Sequence, residues 1–160
     1  MGEIISIGMV KLNGESLYLE LEYTDEDYIT DWVKKNVLPR LTNVKVSKGE
    51  ARNQILDFVG NNNPYLVSYV IEFDGAYLYK LLGVNDKGGN KVLPFHWILL
   101  DFASMLFAID IDPTFFDLKK KENLATQLGL DYSGHVENHA LIDAKILREI
   151  YLKLTSVTPC

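Results

Sequence analysis

Residues 65–75 read YLVSYVIEFDG, an almost unbroken apolar run. Such a run is expected where helices cover both faces of a mainly parallel sheet, so it points to an α/β arrangement. The predicted strand ends at Asp74-Gly75, and AYLYKLLG at 76–83 reads as a short helix closed by Gly83. Asp74 then sits at a strand-to-helix junction, at the carboxyl end of the strands where open α/β sheets bind ligands.

The flanking segments complete a single unit. EIISIGMVKL at 3–12 and ESLYLELEY at 15–23 enclose Asn13-Gly14, and the second segment alternates Leu17, Leu19 and Leu21 with Tyr18, Glu20 and Glu22. This pattern predicts a β-hairpin with an Asn-Gly turn. Thr24 and Asp25 offer a helix start, after which Ile29, Trp32, Val33 and Val37 keep helical spacing up to Pro39 and predict an amphipathic helix. Ser47 opens a further helix carrying Ile55, Leu56, Phe58 and Val59, which GNNNP at 60–64 ends. A loop at 84–91, a short strand at 95–99, a buried helix at 100–109 and a helix at 121–129 stopped by Gly129 follow. At 160 residues the chain is one domain by size. We place that domain at 1–154 and read 155–160 as a C-terminal tail.

Charge and cysteine usage narrow the function classes. A formal charge of −6 argues against a protein that coats nucleic acid through a generally basic surface. It leaves room for a local patch. Lys34, Lys35, Arg40, Lys45, Lys48 and Arg52 stand against one acid, Glu50, and Lys119, Lys120 and Lys121 form a second group; solvated helix faces explain both equally well. No apolar run approaches the ~20 residues of a membrane helix. The start MGEIISIGMV has neither a basic leader nor a small-residue cleavage site, so the expectation is a cytoplasmic protein with no membrane partner. Cys160, the single cysteine, excludes an intrachain disulfide and a cysteine metal knuckle.

The segment ENHALIDAKILREIYL at 137–152 predicts the last helix. At about 100° per residue, Ala140, Ala144, Leu147, Tyr151 and Leu154 form one stripe, with Ile150 at its edge. Asp143 falls between Ile150 and Leu154, on the inward half. A carboxylate taken out of water costs several kcal/mol or more unless it is neutralised, so Asp143 is expected to have a partner there. A metal ion, a basic side chain and a hydrogen-bond donor are the candidates, with His139 one turn earlier. An acid at the rim of the stripe that reaches water or caps a neighbouring helix is the alternative.

The run SYVIEFDGAYLYKLLG, followed by a helix and then LGLDYSGHVENHALIDAKILREIYLKL, resembles the DEDD-type 3'-5' exonucleases of the ribonuclease H-like fold. The resemblance spans nearly the whole chain and is strongest in HALIDAKILREIY. It implies a mixed sheet flanked by helices and two-metal phosphodiester hydrolysis of single-stranded nucleic acid, with RNA preferred over DNA. In that chemistry, two divalent ions about 4 Å apart activate water and stabilise the leaving oxygen, and clustered carboxylates hold them. By resemblance Asp74 matches the acid of the second motif and Asp143 that of the third; both are the implied metal ligands and catalytic acids. His139 is the implied general base.

The chain departs from the family pattern in two places. The opening Asp-x-Glu motif, carried on a strand before IISIGMV, is absent, and Asp25, Glu26 and Asp27 read as capping residues rather than substitutes. Half the ligands are then missing, and a divalent metal, Mg or Mn, is expected to bind weakly or singly at best. The family's histidine stands five residues before the final acid, where this chain has Asn138; His139 is four residues away, with His135 as a fallback. His96, beside Trp97, reads as structural, and Tyr69, Tyr77 and Tyr79 as core or rim packing. Without the central first strand, two sheet edges lack a neighbour. They are expected to be covered by an added segment, a rearrangement or a strand from a second copy, which would make a homo-oligomer. A catalytically inactive binding or assembly module of the same fold is the competing class.

Overall fold

The computed structural model describes residues 3–23, 29–42, 44–83, 93–117, 123–130, 132 and 139–155. The chain folds as a mixed α/β protein in which two small sheets are flanked by helices. In the first sheet, β1 (Ser6–Val10) pairs antiparallel with β2 (Ser16–Leu21), and β3 (Lys45–Val46) runs parallel to β2 on its other side. The hairpin loop is longer than an Asn-Gly pair. Lys11 N–H donates to Glu15 O at 2.8 Å and Gly14 N–H to Lys11 O at 2.9 Å. Gly14 alone in the loop takes a positive φ, 93°, as in a tight turn followed by a left-handed residue.

A second sheet pairs β4 (Val67–Ser68) with β5 (Leu100–Asp101) in parallel. Here the structure corrects the reading of 65–75 as one strand. Only two residues pair, and α3 (Ile71–Leu82) begins inside the apolar run. Its buried residues, Ile71, Gly75, Leu78 and Leu82, recur at helical spacing, so half of the run's hydrophobicity belongs to a helix face. Gly83, at φ 73°, ends the helix as expected. The strand expected at 95–99 is displaced to β5.

The other helices are α1 (Asp31–Asn36), α2 (Lys48–Val59), α4 (Phe102–Ala108), α5 (Leu124–Gln127) and α6 (Ala140–Thr155). Thr30 accepts from Val33 N–H and caps α1, and Ser47 caps α2 through Glu50 N–H. The amphipathic helix expected before Pro39 is only six residues long and buries none of them; Trp32 lies largely in water. No helix among the described residues is long and apolar enough to cross a membrane.

Two apolar clusters hold these parts. The first joins Leu19 and Leu21 of β2 with Ala51 and Ile55 of α2, Leu78 and Leu82 of α3, and Phe95. The second joins Phe102 and Leu106 of α4, Leu124 and Ala125 of α5, and Ile146 and Ile150 of α6. Among the described residues β1 pairs with β2 alone, and no ladder joins the two sheets. The β1 residues are nevertheless half-buried, because α6 lies over their face.

The inward placement expected for Asp143 is corrected as well. Ile146 and Ile150 are the buried residues of α6, and Asp143 is exposed. The chain does bury a carboxylate, but it is Glu20 on β2, 2% exposed. The tertiary fold covers this end of β2, where Leu19, Glu20 and Leu21 are all buried.

Candidate functional site

At the carboxyl end of the parallel pair, Ser68 and Asp101 are register partners. Each strand passes directly toward a helix start, so several backbone N–H groups converge there without helical partners. Asp101 meets two of these ends. Its carboxylate accepts from Ser104 N–H at 2.7 Å, capping α4, and from Ile71 N–H at 3.3 Å, at the start of α3. Burial opposes ionisation, but the donors from Ser104, Ile71 and Ala103 outweigh it and hold Asp101 below the ordinary carboxylate range. Asp74, expected at the strand end, instead occupies the first turn of α3, exposed, where it accepts a hydrogen bond from the Ser68 hydroxyl.

The other candidates lie at the start of α6. Gly8 permits this placement: a Cβ there would stand 2.3 Å from the backbone carbonyl of Ala140. The close approach sets His139 over β2, where its ring stacks on Tyr18 with centroids 4.5 Å apart and planes 27° apart. His139 Nδ1 is buried and has no hydrogen-bond partner among the described residues. Its backbone carbonyl accepts from Asp143 N–H at 3.0 Å, which puts both residues in one helical turn.

Beneath the imidazole, Tyr18 OH donates to Glu20 Oε1 at 2.9 Å, and Thr42 N–H donates to the same oxygen at 2.6 Å. Burial and the neighbouring Glu20 carboxylate push the Tyr18 phenol well above its ordinary range. This ring is therefore a neutral support for His139.

His139 and Asp143 are thus brought together, as are Asp74, Ser68 and Asp101. Val67, next to Ser68, and Ile142, next to Asp143, both pack against the second apolar cluster. Among the described residues no three His, Cys, Asp or Glu side chains come together in a way that could hold a metal ion. The donors described here do not by themselves fit a two-ion cradle.

Asp101, Ser68, Tyr18 and Glu20 were not among the expected site residues. Asp101 had a readable signal, since an Asp with a Ser three residues later precedes an apolar helical run. Tyr18 and Glu20 had none, because their role depends on α6 crossing β2. Part of the basic stretch has local structural uses: Lys48 pairs with Glu3 at 2.6 Å, and Lys45 Nζ lies 3.9 Å from the centre of the Tyr23 ring. Tyr69 donates to Pro113 O at 2.6 Å and stacks on Phe116, a packing role. Asp25, Glu26, Asp27, His135, Asn138, Lys119, Lys120, Lys121 and Cys160 lie outside the described residues.

Compared with known proteins, the chain matches no protein-family model and no curated protein.

Proposed function

We propose that the chain is a 3'-5' exonuclease-like domain of the ribonuclease H-like class, acting on the phosphodiester bonds of single-stranded nucleic acid, RNA in preference to DNA. Its own residues supply part of the acidic site, Asp74 and Asp143, together with His139 as general base. Hydrolysis requires further carboxylates of the Asp-x-Glu kind. One observation carries this reading: Asp74 and Asp143 each occupy the first turn of a helix, and the residues beside Asp143 and Ser68 share an apolar cluster. With two acids in place of four, the opposing charge that retains a hard cation is halved, so Mg or Mn binds singly or weakly.

A 3'-labelled single-stranded RNA and its DNA counterpart, incubated with Mg²⁺ or Mn²⁺, test this reading. The chain as it stands is expected to be slow. A version preceded by an Asp-x-Glu strand is expected to release 3' nucleotides, and Asp74→Asn or Asp143→Asn in that version to lower the rate by about 100-fold or more. An extended version that leaves both substrates intact would overturn the proposal.

The second reading is a non-catalytic binding or assembly module. It is favoured by the lack of a three-ligand group among the described residues and by the pairing of β1 with β2 alone. A strand from a second copy would extend that edge. Absence of hydrolysis in both versions, with Asp143→Asn at least as stable as the parent, selects this module.

A further inference from the structure

Tyr65 and Trp97 are large aromatic residues left 56% and 74% exposed. Between them lies His96, with ring centroids 4.4 Å from Tyr65 and 5.8 Å from Trp97 and planes tilted by 37° and 27°. The group is held in place by its backbone. His96 N–H donates to Pro64 O at 2.8 Å, which ties the two loops together, and Ile98 N–H donates to His96 Nδ1 at 3.1 Å. An accepting Nδ1 leaves the neutral imidazole proton on Nε2. Phe95, buried in the first apolar cluster, anchors the same loop from below.

We propose that Tyr65, His96 and Trp97 form a base-stacking platform for single-stranded nucleic acid. The proposal rests on the exonuclease-like reading and gives that reading a substrate-binding surface. The two loops feed β4 and β5 from their amino ends, while Asp74 lies past their carboxyl ends. Tyr65 precedes Ser68, the partner of Asp74, by about 10 Å of extended backbone. The platform and Asp74 thus lie at opposite ends of the same parallel pair.

The chemistry favours a base over an aliphatic segment. The surface offers flat π faces edged by a phenol and ring N–H groups, and each base has a π face to lay on them. Tyr65 and Trp97 already pack on the His96 ring, so less side-chain freedom is lost on binding. Exposed aromatic area of this kind is costly to leave in water and is recovered by stacking.

The test uses EDTA throughout, so that no turnover occurs. In a Trp32→Phe background, where Trp97 is the remaining tryptophan, oligouridylate and oligothymidylate are expected to quench its emission. Anisotropy of a labelled oligonucleotide is expected to show binding weakened about tenfold by Tyr65→Ala or Trp97→Ala and largely kept by Trp97→Phe. Both sites are exposed, and circular dichroism verifies that each variant is folded. Absence of quenching, or alanine variants within about twofold of the parent, overturns the platform. Quenching by a proline-rich peptide but not by oligonucleotide also overturns it. Stacking that persists while the extended version fails to hydrolyse removes the nuclease reading alone; hydrolysis without stacking removes the platform alone.

Discussion

Asp101 carries more of the local structure than its place in an apolar segment suggests. A single carboxylate answers N–H groups at the starts of α3 and α4, and its ionised form is the one those donors favour. Asp101→Ala is expected to cost about 1–2 kcal/mol for each cap lost. The depressed folded-state pKa sets the sign of the pH dependence. The stabilisation is present above the ordinary value of 3.8 and is lost as pH falls through the lower folded value. Thermal melts of parent and variant should therefore differ most near neutrality, with the gap narrowing as pH falls through the lowered folded value; a constant gap would contradict this. Asp143 and Glu20 mark the limit of sequence reading at this scale. Helical angles placed Asp143 inward, yet Asp143 is exposed, and the buried carboxylate is Glu20, which no local pattern singled out. Periodicity defines faces, whereas burial depends on what packs against each face.

Among the elements, α6 and β1 show how one glycine sets a site. From Gly8, under Ala140, to the hairpin loop, where Arg148 donates to Leu12 O at 2.9 Å, strand and helix advance side by side. The helical residues from Ala140 to Arg148 rise about 12 Å, alongside the end of β1 and the start of its hairpin loop. The methyl group of Gly8→Ala would strike backbone atoms, which cannot rotate aside as a side chain can. The expected cost is about 3 kcal/mol, which corresponds to about 6–12 °C in Tm for a chain of this size. Displacing α6 should also relieve the stacking of His139 on Tyr18, read as a shift of the imidazole resonances toward unstacked values in NMR. An unchanged Tm with unchanged resonances would refute the close packing. The hairpin, α2 and the Gly83 stop of α3 were legible because Gly, Ser and alternating leucines act locally. The start of α3 was not, because an apolar run without turn residues suits a buried strand and a helix alike.

For the molecule as a whole, α6 links the two halves: it lies on β1 and contributes Ile146 and Ile150 to the second apolar cluster. Ile146→Ala is expected to cost about 2–5 kcal/mol. Because α6 serves both regions, near-UV and far-UV circular dichroism should report one shared transition that moves down as a unit. Two resolved transitions would show that the halves unfold separately. The second apolar cluster also takes in Val67 of β4 and Ile142 of α6, so it reaches from the second sheet to the last helix.

By itself the sequence determined the α/β class, the hairpin, the Ser47 cap and the glycine stops, because short-range sterics and hydrogen bonding act between near neighbours in the chain. Only the tertiary structure decided that Glu20 is buried, that Tyr18 supports His139, and that Asp101 serves two helix starts. Those roles arise from close contact between segments far apart in the chain, such as the approach of Ala140 to Gly8, and no local pattern encodes such a contact.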